Sequence, residues 1–329
     1  MNTLANKSTG FSDPLRANSP SAKPPISCRM YSMVATIGLF LRTNDNDYQQ
    51  RLKEVGLREA KRQGFDIIIE SAQNDAGRQV DQIRSAIKNA STTKLAALLV
   101  STVRDAVLSE VVRETAEAGL DCAMLNDVLF IDEIRQQHPG RAIFIVTPDQ
   151  IEIGRIQGRQ VRALLGSTGK VLCVTGPLNM TLAQQRLDGL KEVLAGNFSL
   201  TELNADWTSE RARMEVERWA NALTPGAELP EMFVAHNDEM ALGIRQALRD
   251  AAARKDLPLA NTPITGCDGS QTFGQRLVRE GRIKSTVIMP PASGAAIELI
   301  GRFRTRNELP PVRVVQAVTS FPALSSLKK

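Results

Sequence analysis

The sequence predicts an α/β protein of two lobes, each built on a doubly wound parallel sheet. Short runs rich in Val, Ile and Leu alternate with amphipathic stretches from Val34 onward. The runs are apolar throughout, as strands covered on both faces should be. Polar or aromatic residues recur just after the strand ends, the edge at which such sheets bind ligands. Regular alternation of β and α implies parallel strands with right-handed crossovers. At 329 residues the chain can fill two domains of ordinary size.

In chain order the predicted strands are 34–41, 65–70, 95–100, 121–125, 142–147, 170–175, 198–203, 231–236, 264–267, 284–288 and 312–318. Asp47–Gln63 carries Leu52, Val55, Gly56 and Ala60 at helical spacing, and Gly64 stands where a helix stop belongs. Asp238–Ala253 repeats the pattern with Met240, Leu242, Ile244, Ala247 and Leu248. Units fall on both sides of Pro148 with no Gly/Pro-rich linker between them, so strands are expected to pass from lobe to lobe.

Composition narrows the function. An apolar fraction of 42% and a charged fraction of 23% belong to a globular protein. The net charge of +5 is spread along the chain, and Arg302, Arg304 and Arg306 lie at the end of a predicted helix, where cations are favoured. No nucleic-acid patch is expected. Cys28, Cys122, Cys173 and Cys267 form no C-x-x-C pair, and the 2 histidines, His138 and His236, lie far apart. A disulfide framework, a metal site and a cofactor are therefore not expected. Residues 1–33 read as a disordered tail rich in Ser, Pro and Asn. The first apolar stretch, Met33–Leu41, runs into Arg42-Thr43-Asn44-Asp45 without a small-x-small cleavage site.

Enzyme motifs fail on context. Gly166-Ser167-Thr168-Gly169-Lys170 has the wrong spacing for a phosphate loop and enters a strand instead of leaving one. Gly176-Pro177-Leu178-Asn179 follows a strand but lacks the three-glycine dinucleotide fingerprint. No G-x-S-x-G elbow occurs. What recurs is polar chemistry at strand ends: Asn46 to Gln49, Ser101 and Thr102, Asn126 and Asp127, Asn179 to Gln184, Trp207, Asn237 and Asp238, and Asp268. Any one of these could simply cap a helix. Together they give amides and carboxylates for vicinal hydroxyls and an aromatic face for a sugar ring.

On Thr36-Ile37-Gly38-Leu39, Gln73-Asn74-Asp75, Asn237-Asp238-Glu239-Met240-Ala241-Leu242-Gly243, Cys267-Asp268-Gly269 and the block Arg279–Val287, the chain resembles periplasmic sugar-binding proteins of the ribose/galactose type. These have the type I periplasmic binding protein fold, shared with LacI-type effector domains. The resemblance implies two lobes joined by a three-strand hinge, 34–147 plus 290–311 and 148–289 plus 312–329, closing on a ligand. Carried over by position, Asn46, Tyr48 and Gln49 would meet the ligand, Trp207 would lid it, and Asn237 and Asp268 would bind it, while Ser101 joins them from its strand end. Asp238 would then cap the following helix. Asn126-Asp127 stands where the family commonly has Asp-Arg, Gln184 where it has an arginine, and Met289 where it has a glutamine. Two ligand arginines are thus expected to be missing, although Arg186 is nearby.

The expected function is a non-enzymatic, monomeric solute-binding protein that delivers a sugar or small polyol to an ABC permease or membrane sensor. The alternative is an intracellular ligand-sensing regulator of the same fold without a DNA-binding head. An enzyme on this scaffold is a third reading, which no motif supports. The family implies the periplasm, whereas the tail as encoded, unless its start codon is misplaced, carries no recognisable export signal and would leave the chain in the cytoplasm.

Overall fold

The computed structural model describes residues 34–327; the expected tail, with Cys28, lies outside that range. The strands are β1 (Thr36–Leu41), β2 (Asp66–Ser71), β3 (Leu95–Val100), β4 (Asp121–Met124), β5 (Ile143–Pro148) and β6 (Gly169–Thr175), then β7 (Phe198–Asn204), β8 (Met232–Ala235), β9 (Ile264–Thr265), β10 (Thr286–Ile288), β11 (Arg313–Gln316) and β12 (Thr319–Phe321). One parallel sheet runs in the order β11-β5-β4-β3-β1-β2, and a second in the order β7-β6-β8-β9. β10 and β12 form a small antiparallel ribbon, with Ser285 bridging it to β9.

Period-two burial explains why these runs are strands with two covered faces. In the first sheet Ile37, Leu39 and Leu41 pack with Ala97 and Leu99 against Leu52, Ile297 and Ile300. The alternate residues Phe40, Leu98 and Val100 pack on the other face against Ile83, Val111 and Ile131. In the second sheet Leu172, Val174 and Phe233 meet Ile244 and Leu248, while Val171, Cys173 and Val234 meet Val161 and Leu187. Cys122, Cys173 and Cys267 are buried free thiols.

The chain leaves the first sheet after β5, returns after β10, and passes across again between β11 and β12. The C-terminal strand differs from expectation. Residues 312–318 are expected in the second lobe as one strand, but Arg313–Gln316 pairs with β5 in the first sheet. Only after Val318 does the chain reach β10, through Thr319–Phe321. A run of seven residues alternating in exposure looks continuous in sequence; nothing in it marks where its pairing partner changes.

Helices Gln150–Leu165 and Thr181–Leu194 cross in backbone contact. A Cβ on Gly154 would stand 1.9 Å from the Arg186 carbonyl oxygen, and one on Gly189 would stand 2.1 Å from that of Ile151. Only glycine permits that approach. Gly154→Ala should therefore force the helices apart and cost about 1–3 kcal/mol, the usual range for overpacking. Gly140→Ala, with nothing within 4 Å of its Cβ, should melt no lower than the parent in the same thermal scan.

Candidate functional site

The C-terminal ends of strands from both sheets face one another across a cleft. Its walls are Arg42, Asn46, Tyr48, Gln49, Ser101, Thr102, Leu125 and Asn126 from the first lobe. Opposite them stand Gln150, Met180, Leu182, Arg186, Trp207, Asn237 and Asp268, with Met289 at the crossing. Of the residues picked out by resemblance, Asp127 and Gln184 lie outside these walls; the rest line the cleft.

The polar groups of the first lobe are held in place by one another. Asn46 caps helix Asp47–Gln63, its Oδ1 accepting from the Gln49 amide at 2.9 Å. The Gln49 side chain accepts from the Arg42 backbone N–H at 3.2 Å and donates to Ser101 Oγ at 3.0 Å. Asn126 Oδ1 accepts from the Thr102 N–H at 2.9 Å. This network joins the ends of β1, β3 and β4, so the edge of the sheet is a rigid polar surface.

In the second lobe, Asn237 takes the capping role expected of Asp238 while still lining the cleft. Asn237 is the N-cap of helix Asp238–Lys255, accepting from Met240 N–H at 2.7 Å while its Nδ2 donates to the Trp207 carbonyl at 2.9 Å. Asp238 caps nothing. It is fully buried, accepts from the Gly269 N–H at 2.8 Å, and fills the space that Cβ atoms on Gly266 and Gly274 would take. A capping side chain must belong to the residue before the first helical turn, and that residue is Asn237.

Trp207 and Asp268 both have left-handed backbones, with φ of 77° and 101°. Such φ values are costly for bulky or branched side chains and cluster where geometry serves a site. The Trp207 ring lies against Gly176, where a Cβ would come within 2.2 Å, and near the His236 ring at 6.1 Å. Arg51 of the first lobe reaches across to the carbonyls of Asp268 and Met289 at 3.1 and 3.2 Å. Gly176, read as a fragment of a nucleotide motif that failed, makes room for the indole.

The positions expected to lack the family's arginines, 127 and 184, do lack them, but the cleft has others. Two line the cleft, Arg42 and Arg186. Gln184 points to the exposed face and donates to Asp188, while Arg186, two residues on, turns to the opposite face. Arg186 donates from Nε to Gln150 Oε1 at 2.7 Å and from Nη1 to the His236 carbonyl, and its Nη2 stands 3.4 Å from the Met289 sulfur. Asp127 is drawn outward by an ion pair with Arg313 at 3.0 Å. The sequence did mark Arg186 as near the site. Arg42 carries no such signal, because in the sequence it only opens the polar run after the first apolar stretch.

Burial governs the charges. Arg42 is lowered to about 10 by burial, which leaves it cationic at neutral pH. Burial and Asp238 push the Asp268 carboxyl well up, with Arg186 opposing. Burial and the Arg186 charge hold the His236 ring neutral. Glu239 is raised to about 7, first by burial, although it accepts the Asp47 N–H at 2.8 Å. That bond joins the lobes, as do Thr181 N–H to Asp105 Oδ2 at 3.2 Å and Gln185 Nε2 to Asp127 Oδ2 at 2.8 Å. Among the described residues no cluster of His, Cys, Asp and Glu has the makings of a metal site, and no helix is long and apolar enough to cross a membrane.

Two lobes with a polar, charged cleft at their facing strand ends define a ligand-binding protein of the two-lobed α/β class. The chain belongs to the periplasmic binding protein domain family, whose model matches residues 37–299. It is 26% identical over 290 residues to the ribose import binding protein of Bacillus subtilis, covering 87% of this chain and 85% of that one. It is also 26% identical over 225 residues to a xylitol-binding protein of Mycolicibacterium smegmatis, covering 68% and 58%. In fold it is similar to the binding protein of an arabinose ABC transporter from Shewanella sp. ANA-3, bound to arabinofuranose. That match has a TM-score of 0.74 at 20% identity and covers 89% of this chain and 94% of the other.

One test of the buried charges is thermodynamic. Burial raises the Asp238 carboxyl from 3.8 to about 7, so the folded protein keeps a proton that the unfolded chain has lost. Native protein then binds more protons than unfolded, and this group's contribution to stability falls as pH rises between those values. Asp238→Asn cannot ionise. In urea unfolding its stability relative to the parent should improve by up to about 4 kcal/mol between roughly pH 4 and pH 7.

Proposed function

We propose that this is a solute-binding protein whose lobes close on a sugar or small polyol and deliver it to an ABC permease or a membrane sensor. One observation carries the reading. Asp268 and Trp207, both in left-handed backbone, face Asn46, Ser101 and Asn126 of the opposite lobe across a single cavity. A carboxylate and hydroxyls can bond vicinal hydroxyls while an indole covers the apolar ring face. Asn46, Tyr48, Gln49, Ser101, Asn126, Trp207, Asn237, Asp268 and Met289 are proposed to form the ligand's surroundings, joined by Arg42, Thr102, Gln150 and Arg186.

The relatives support transport over an intracellular regulator. They include import binding proteins for ribose and for D-apiose, and one structural neighbour is the fructose-binding periplasmic domain of a hybrid two-component system. The last supports a sensor as the second possible recipient. The family's name supports a location in the periplasm or cell envelope. We further propose that the protein acts as a monomer and binds no nucleic acid.

Isothermal titration with pentoses, hexoses, pentitols and cyclitols tests this reading, with thermal shift as a second readout. At least one should bind and raise the melting temperature. Asp268→Ala should weaken the best ligand by about 1–3 kcal/mol, since buried hydroxyl partners lose their acceptor. Trp207→Ala should weaken it too. Binding of an amino acid or nucleobase with no response to any polyol would remove the reading.

A further inference from the structure

The cleft holds two buried guanidiniums, and among the described residues neither is in an ion pair. Arg42 is 9% exposed, lines the cavity, and has a buried Nε with no hydrogen-bond partner. The carboxylates that face it are Asp268, Asp206 and Glu239. Among the described residues none of them forms an ion pair with it. Asp206 accepts the Thr208 hydroxyl and N–H, and Glu239 accepts the Asp47 N–H. Among the described residues Arg186 meets neutral acceptors: Gln150, the His236 carbonyl and the Met289 sulfur.

Among the described residues Asp268 is the sole carboxylate lining the cavity, and two guanidiniums line it as well. Both guanidiniums lie over the Trp207 ring, Arg42 at 5.5 Å and Arg186 at 5.3 Å from its centroid. A ring face attracts a cation but does not neutralise it. Buried charges are ordinarily paired, and a guanidinium left without a counter-ion is costly. The partner that Arg42 lacks is an anion able to accept from its unpartnered Nε–H.

We propose that the preferred ligand is an acidic polyol, a sugar acid whose carboxylate is held by Arg42 while its hydroxyls meet Asp268 and the amides. The proposal rests on the polyol reading above and specifies its charge. A carboxylate matches the guanidinium fork with two parallel hydrogen bonds. It also brings a single charge to the guanidinium whose Nε is unpartnered, whereas a phosphate monoester brings nearly two.

The test titrates the protein with D-ribonate, D-galactonate and D-galacturonate beside ribose, galactose and ribitol, and with ribose 5-phosphate. One of the acids should bind at least tenfold tighter than its neutral counterpart. Arg42→Gln should erase that preference while keeping measurable affinity for the neutral form, which also shows that the variant is folded. If Arg42→Gln does not fold, the comparison of acid with neutral ligand on the parent protein decides alone. Neutral sugars binding as tightly as their acids would overturn the anionic assignment and leave the polyol reading standing. Tightest binding of the phosphate would overturn the carboxylate. Binding of simple carboxylates with no gain from hydroxyls would instead overturn the polyol reading.

Discussion

The guanidinium of Arg186 is the point at which the second lobe becomes a site. From one side chain it reaches the start of the crossing helix through Gln150, the end of β8 through the His236 carbonyl, and the inter-lobe crossing at Met289. Its position is possible because Gly154 and Gly189 let two helices touch backbone to backbone, which sets Gln150 and Arg186 side by side. The neighbouring His236 stays neutral, since a second cation there would be both buried and repelled. Trp207 packs on the same cation and on Gly176. Arrangement of the lobe's ligand-facing edge thus follows from burying one charge with its hydrogen bonds satisfied.

A second buried charge organises the loop beneath Asp268. Asp238 accepts from Gly269 and sits where side chains on Gly266 and Gly274 would otherwise stand. The loop wraps a carboxyl, and glycine is the only residue that leaves room for it. Arg51 then fixes the carbonyl of Asp268 from the opposite lobe. The left-handed backbone at Asp268 is held from two directions, which is what a strained position needs to persist.

Much of this was legible in the sequence, for definite reasons. Strands buried on both faces read as apolar runs, so β1, β3 and β6 stand out. Helix Asp47–Gln63 shows its stop at Gly64, whose φ of 76° no other residue adopts as easily. Cleft residues that follow strand ends, such as Asn46, Ser101 and Asp268, declared themselves by position. Sequence reading failed where direction mattered. Nothing in the text of residues 184–186 says which of Gln184 and Arg186 faces inward without the phase of the helix. Arg42 looked like the polar end of a strand, and Asn237-Asp238 offered two capping residues where only geometry separates them. The strand over residues 312–318 is legible, but its division between two sheets is not, because a change of pairing partner leaves no mark on hydropathy.

The bonds from Asp105 to Thr181, Asp127 to Gln185 and Glu239 to Asp47 join the lobes using only the protein's own groups. Each exists only when the lobes meet, so each raises the fraction of empty protein that is already shut. Apparent affinity scales with the competent fraction, and these contacts strengthen capture without touching the ligand. The same free energy must be returned when the lobes part. The surface that rims the cleft, and not the cleft alone, therefore sets how readily a captured molecule is surrendered.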